Sequence, residues 1–274
     1  MPSDESSGAR VAEGSPQSDD HDRLSPVAER LQLSIVIPAF NEEATVGGVL
    51  ASHHGLASRI ALPFEIIVCD DGSSDRTWPL LSECGPTMPE LKLLRNDSNV
   101  GIPATMKRLY AAAVGEWIYF APADGQVPAA ALEIMWSARD GAALVVGRRM
   151  PRRDPASRIV MAQMYSALLR LLFRLPVRDI DSVKLYRASE LRRMPIESAS
   201  NFFEAEILIR LCHAQRIVRE VQIPHQPRIA GRAGGVTTRS ALRAVIDVGV
   251  FATRLYVSML APRRRDETTT PLPH

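Results

Sequence analysis

A strand that runs straight into a pair of acids sets the strongest limit on how this chain can fold. Residues 64–69 read FEIIVC and are followed at once by Asp70, Asp71, Gly72 and Ser73. A short β-branched run closed by turn formers is a buried strand. The same arrangement recurs twice. Residues 33–38 end in Ala39-Phe40-Asn41-Glu42, and Trp117–Phe120 ends in Ala121-Pro122-Ala123-Asp124-Gly125. Further strands are expected at 91–94 and 142–147. Helices are expected between them: one starting at Asn41-Glu42-Glu43 and carrying Val46, Val49 and Leu50, one capped by Ser74 or Asp75, one over 103–114 and one over 127–138. Strands alternating with helices imply an α/β fold, a mostly parallel sheet with helices on both faces.

The second half is less regular. Helices are expected over 157–175, 202–214 and 240–260, and strands over 183–186 and Val218–Ile223. Residues 1–30 are rich in Ser, Asp, Glu, Gly and Pro, a composition that cannot offset its ordering entropy. They read as a disordered tail. A folded domain then spans 31–235, an amphipathic helix 236–262, and a second disordered tail 263–274.

A formal net charge of +2 argues against a nucleic-acid partner. Cys69, Cys84 and Cys212 form no C-x-x-C pair and fit a reducing compartment as buried apolar residues. The N-terminus lacks a secretory pattern, and no apolar run reaches the ~18 residues of a membrane helix.

In an open parallel sheet, ligands bind beyond the carboxyl ends of the strands. Acids or turn-forming polar residues at three such ends therefore outweigh any one of them, although Asp71-Gly72 and Asp124-Gly125 could each be only a tight turn. No glycine-rich dinucleotide or P-loop fingerprint follows the first strand. Phosphates would then be neutralised by a divalent cation at Asp124 or by Arg148, Arg149, Arg228 and Arg232.

Three stretches, SIVIPAFNEEATV, EIIVCDDGSSDRT and LLRNDSNVGIPATMKRLYAAAVGEWIYFAPADGQ, resemble the family-2 glycosyltransferases of GT-A fold, most closely the polyprenyl-phosphate sugar transferases. The resemblance runs from about Leu33 to Arg232. It implies that Pro38, Phe40 and Glu42 line a nucleoside pocket, that Asp70 and Asp71 hold base and ribose, and that Asn99 and Gly101 lie near sugar and diphosphate. Asp124 matches the second acid of the D-x-D metal motif, with Pro122 at the first, and Gln126 also approaches the metal. The implied cofactor is Mg²⁺ or Mn²⁺, bound more weakly than where both acids are present. Segment 177–182 resembles the region that supplies a catalytic base, Asp181 or Asp179, with Asp181 favoured. Glu206, with Glu204 close behind, matches an acid facing the sugar, with a salt-bridged helix face as the alternative. Arg228 and Arg232 match a phosphate-contacting loop.

The resemblance implies an inverting transfer of a sugar from a UDP- or GDP-linked donor to an acceptor such as a polyprenyl phosphate. Two alternatives stand beside it: a catalytically weakened nucleotide-sugar-binding protein, motivated by Pro122, and a nucleotidyltransferase. A lipid acceptor needs a membrane surface. Residues 157–175 have an apolar centre flanked by Arg152, Arg153, Arg158, Arg170 and Arg174, which suits a helix lying in the interface. Met161, Met164, Tyr165 and Leu168 would face acyl chains. Leu242, Val245, Ile246, Val250 and Phe251 repeat the pattern ahead of Arg263, Arg264 and Arg265. The expected location is cytoplasmic and peripheral on the inner face of the membrane. Alternatively, both helices cover the sheet or meet in a homodimer.

Overall fold

The structure is a computed structural model that describes residues 31–228 and 238–260. The expected disordered tails, and Arg232, fall outside the described residues. Seven strands, β1 (Leu33–Ala39), β2 (Phe64–Asp70), β3 (Leu91–Arg95), β4 (Trp117–Phe120), β5 (Leu144–Arg149), β6 (Lys184–Arg187) and β7 (Val218–Ile223), form one sheet in the order β3-β2-β1-β4-β6-β5-β7. The β1–β2, β1–β4, β2–β3 and β5–β7 pairs are parallel, whereas β6 runs antiparallel to both β4 and β5. The parallel strands therefore finish at one edge, and β6 begins there.

β1 and β2 are buried along their whole length, as strands covered on both faces must be. One face carries α1 (Val46–Arg59), α2 (Thr77–Cys84) and α4 (Ala130–Ser137). The other carries α3 (Ile102–Ala112), α5 (Ala156–Phe173), α7 (Phe203–His213) and α8 (Thr238–Leu260), with a short α6 (Ala188–Arg192) directly after β6. The sequence pattern did not announce α6.

Two helix starts differ from expectation, both at the functional edge. The helix expected from Asn41 begins at Val46, because Asn41 has φ +53° and residues 41–45 are bonded to the next loop. The Asn41 N–H donates to Ser73 Oγ (2.9 Å), the Glu42 N–H to Thr77 Oγ1 (2.8 Å) and the Ser74 N–H to Asn41 Oδ1 (2.9 Å). The helix expected from Val127 begins at Ala130. Residues 124–126 are instead held in a turn, in which the Gln126 N–H donates to Asp124 Oδ1 at 3.0 Å and Gly125 has φ +70°. β5 also starts two residues late and runs to Arg149, which carries two arginines to the edge.

The two helices read as amphipathic divide their side chains differently from the expectation. Tyr165 packs inward against the core, and Phe251 is buried against Phe173 and Phe202. The outward apolar row of α5 is Val160, Met161, Met164, Leu168 and Leu171, the last 81% exposed. That of α8 is Val245, Ile246 and Val250. The side chain of Leu242, and Arg263 to Arg265, lie outside the described residues. No helix among the described residues is long and apolar enough to cross a membrane.

Candidate active site

The edge is built from loops that use their acids first to hold one another. Asp71 accepts from Asn96 Nδ2 (2.7 Å) and the Val100 N–H (3.0 Å) at Oδ1, and from the Gly101 N–H (2.9 Å) at Oδ2. It thus folds loop 96–101 over the end of β2. Gly72, at φ +70°, lets the loops touch: a Cβ there would sit 2.6 Å from the backbone carbon of Ser98. Only glycine fits such an approach with that backbone. Asp70 has no exposed surface. Its carboxylate accepts from the Ser73 N–H (3.3 Å) and pairs with Arg95 Nε (3.1 Å). The base and ribose contact expected of Asp70 stays an expectation; in this structure its carboxylate is used within the protein. Asp71, with three hydrogen bonds of its own and little exposed surface, is nearly as fully engaged. Pro38 is buried at the end of β1, while Phe40 and Asn99 are exposed beside these loops, and Gly101 turns the chain into α3 at φ +87°.

A second group lies across β1 from the first. Arg228, past the end of β7, donates from Nη2 to Glu42 Oε1 at 2.6 Å and from Nη1 to Asp124 Oδ2 at 3.4 Å. Burial pushes the Glu42 carboxyl above the ordinary glutamate range, and the pull of Arg228 and the Thr45 hydroxyl in the other direction does not cancel it. The segment after β7 is also stapled to the 124–126 turn by the Gln226 N–H, which donates to the Gln126 carbonyl at 2.8 Å. The Gln126 side chain, mostly buried, makes no hydrogen bond to a described residue, and neither does the guanidinium of Arg148 at the end of β5.

The third group separates the two candidate bases. Asp179 is gripped by Arg149, with Nε to Oδ2 at 2.9 Å and Nη2 to Oδ1 at 2.8 Å, and Arg152 stands 3.6 Å away. Burial would raise its pKa, but the hydrogen bonds and charge of Arg149 outweigh burial and hold it below the ordinary range. A carboxylate so paired is a poor proton acceptor. Asp181 differs: its carbonyl accepts from Arg149 Nη2 at 2.7 Å, but its exposed carboxylate has no hydrogen bond or ion pair to a described residue. The pairing with Arg149 favours Asp181 over Asp179 as the candidate base.

Both acids expected to face the sugar from α7 are engaged within the protein. Glu206 is fully buried and accepts from the Glu197 N–H (3.0 Å), the Ser198 N–H (2.8 Å) and Arg210 Nε (2.9 Å). Its alternative, Glu204, accepts from Tyr110 Oη (2.6 Å) and Tyr186 Oη, and pairs with Lys184 Nζ (3.0 Å). The salt-bridged helix reading describes both.

One residue at this edge was missed altogether. His225, buried two residues past β7, accepts the Arg153 N–H at Nδ1 (3.0 Å). A histidine just beyond a strand's carboxyl end was the available signal.

Asp124 and Gln126 are the side chains that could hold a divalent cation. Among the described residues no three His, Cys, Asp or Glu side chains converge. The donor set therefore fits an ion such as Mg²⁺, which takes one or two carboxylates and completes its shell with phosphate oxygens and water.

A mostly parallel sheet, one antiparallel strand beside β4, and acids and arginines gathered on the carboxyl edge define an α/β transferase of GT-A architecture. Solved structures share that fold. The glucosyl-3-phosphoglycerate synthase of Mycobacterium tuberculosis in complex with UDP has a TM-score of 0.63 at 20% identity, over 82% of this chain and 81% of that one. The same enzyme with Mn²⁺, UDP and glucosyl-3-phosphoglycerate has a TM-score of 0.59 at 19% identity, over 85% and 80%. The model of glycosyl transferase family 2 matches residues 34–203, and the chain belongs to that family. It is a glycosyltransferase.

Curated relatives agree. The glycosyltransferase AglD of Haloferax volcanii is 27% identical over 81% of this chain, which spans only 36% of that protein's length. An uncharacterized glycosyltransferase of Mycobacterium bovis is 26% identical over 78% of this chain and 95% of its own. The undecaprenyl-phosphate 4-deoxy-4-formamido-L-arabinose transferase of Pectobacterium carotovorum is 28% identical over 67% and 60%.

Proposed function

We propose that this chain transfers a sugar, with inversion, from a UDP- or GDP-linked donor to a polyprenyl phosphate at a membrane surface. The observation that carries the reading is the meeting of Glu42, Asp124 and Arg228 at the sheet edge beside the loops organised by Asp71. In this reading the nucleoside lies among Pro38, Phe40, Glu42 and the rim of the Asp71 loop, with Asn99 and Gly101 toward the sugar. The diphosphate lies against Arg228, Arg148 and the Asp124–Gln126 turn. Fork-shaped guanidinium groups suit phosphate oxygens. A divalent cation at Asp124 and Gln126 would neutralise charge on the departing diphosphate.

The acceptor oxygen then forms a bond to the anomeric carbon as the bond to the diphosphate oxygen breaks, and the electron pair leaves with the nucleoside diphosphate. Asp181, with its carboxylate unpaired among the described residues, orients the acceptor from the opposite face. An ionised phosphate acceptor needs little deprotonation, so orientation is the larger part of that role. A lipid acceptor is supported by the name of the Pectobacterium relative and by the outward apolar rows of α5 and α8. Arg158, Arg170 and Arg178 are exposed on α5 and just past it, so the surface can rest peripherally on anionic headgroups on the inner face of the membrane. A homodimer through the same rows is the competing use.

The reading is tested by incubating the full chain with labelled UDP- and GDP-sugars, Mn²⁺ and undecaprenyl phosphate. Label should move into the organic phase in step with nucleoside diphosphate release. Release of sugar 1-phosphate, with the nucleoside monophosphate joined to the acceptor, would make it a nucleotidyltransferase. Tight donor binding without turnover would make it a binding protein.

A further inference from the structure

Two consecutive backbone carbonyls are held at the segment that carries Asp181. The carbonyl of Asp181 accepts from Arg149 Nη2 at 2.7 Å, and that of Ser182 accepts from Lys184 Nζ at 3.0 Å. The Asp181 carboxylate has no hydrogen bond or ion pair to a described residue. Its direction is therefore set by its backbone and not by contacts of its own.

Lys184 opens β6, opposite Val146 of β5, and only 1% of its surface is exposed. A lysine so buried needs a partner. Its ammonium pairs with Glu204 Oε2 at 3.0 Å. Glu204, in the first turn of α7, also accepts from Tyr110 Oη on α3 (2.6 Å) and from Tyr186 Oη on β6. Burial and the charge of Glu204 push both tyrosine pKa values well up, so each hydroxyl keeps its hydrogen and donates. The two rings meet edge to face with centroids 5.6 Å apart. Two tyrosines thus fix one carboxylate, and the carboxylate fixes Lys184.

Stability alone does not account for this pair. Desolvation offsets much of the attraction between buried ions, and an apolar pair of similar volume is often as stable. What an apolar pair cannot do is hold the Ser182 carbonyl. We propose that Lys184, fixed by Glu204, is a positioning residue for the transfer: by holding the Ser182 carbonyl it aims the Asp181 carboxylate at the acceptor. This inference rests on the role given to Asp181 above. Sealed from solvent, Lys184 acts through Asp181 alone.

Lys184→Met/Glu204→Gln in the full chain tests this role. It nearly keeps both volumes, leaves no unpaired charge and offers the tyrosine hydroxyls an amide oxygen. Lys184→Met alone strands Glu204 without its cation and should melt lower. Sugar transfer, assayed below both transitions, should fall about tenfold in kcat in each variant, with KM for the donor unchanged. Added to Asp181→Asn, either change should cost less than about a further twofold, because residues that act through one another are not additive. Wild-type kcat in the double variant, or a loss that tracks the melting temperature from one variant to the other, would overturn the proposal and leave the pair as structural support. A further loss of about tenfold on top of Asp181→Asn would also overturn it, since Lys184 would then act by another route. Sugar transfer at the wild-type rate by Asp181→Asn would instead defeat the reading of Asp181, and its positioning with it.

Discussion

Nη2 of Arg228 lies 2.6 Å from Oε1 of Glu42, joining the loop after the first strand to the segment after the last. The other arm of the same guanidinium lies 3.4 Å from Asp124. Without donor, the arginine neutralises two acids that would otherwise repel each other. In the proposed reading, it then stands beside the donor's diphosphate. Arg228→Ala should leave Glu42 and Asp124 uncompensated and cut kcat/KM by roughly 30- to 150-fold, the equivalent of losing about 2–3 kcal/mol of charge-assisted contact. Arg228→Lys should recover only part, because a point charge cannot span both acids. Steady-state kinetics with varied donor checks both.

Asp71 holds loop 96–101, which in the proposed reading closes the nucleoside side. Hydrogen bonds to a charged group contribute about 1.5–3 kcal/mol each, and Asp71 accepts three. Asp71→Ala should lower the melting temperature by several degrees and abolish UDP or GDP binding by calorimetry. If binding survived at wild-type strength, loop 96–101 would not belong to the nucleotide site.

Much of this edge was legible in the sequence. A strand that runs directly into Asp-Asp-Gly-Ser, and others that end in Asn-Glu and Ala-Asp-Gly, marked the carboxyl edge of the sheet, because side-chain alternation and turn chemistry are local. What each acid touches was not legible. Asp70, Asp179 and Glu206 are as polar in sequence as Asp181. Arg95, Arg149 and Arg210 bury them through contacts between residues 4 to 30 positions apart. The start of α1 moved for a similar reason: Asn41 and Glu42 satisfy their backbone on Ser73 and Thr77 instead of beginning a helix.

The contrast between Asp179 and Asp181 gives separable phenotypes. Asp181→Asn should lower kcat about tenfold at unchanged melting temperature, since its carboxylate holds no partner among the described residues. Asp179→Asn should lower the melting temperature. The pKa of Asp179 is depressed in the folded chain below its ordinary value of 3.8. Its contribution to stability is therefore full above that value and is lost as pH falls through the lower, folded-state pKa. Melting curves between pH 6 and 3 should fall less steeply in Asp179→Asn than in the wild type. Identical slopes would mean that the Arg149 pair contributes nothing.

The outward row of α5 gives a prediction free of folding effects. Leu171 is 81% exposed and Met161 is 68% exposed, so Leu171→Glu and Met161→Glu should leave the melting temperature within about a degree, as is usual for surface changes. Each should weaken sedimentation with vesicles containing anionic lipid. Unchanged vesicle binding together with a shift from dimer to monomer would assign the row to a second copy of the chain.

If the edge around Asp124 holds the diphosphate while a sugar leaves it, Asp124 must control the rate at which nucleoside diphosphate is released. That rate can be followed with a UDP- or GDP-sugar, Mn²⁺ and polyprenyl phosphate, for the wild type and for Asp124→Ala. Release is expected from the wild type, with a loss of about 100-fold or more in the variant. Equal release from the two proteins would contradict the assignment of the diphosphate to this edge.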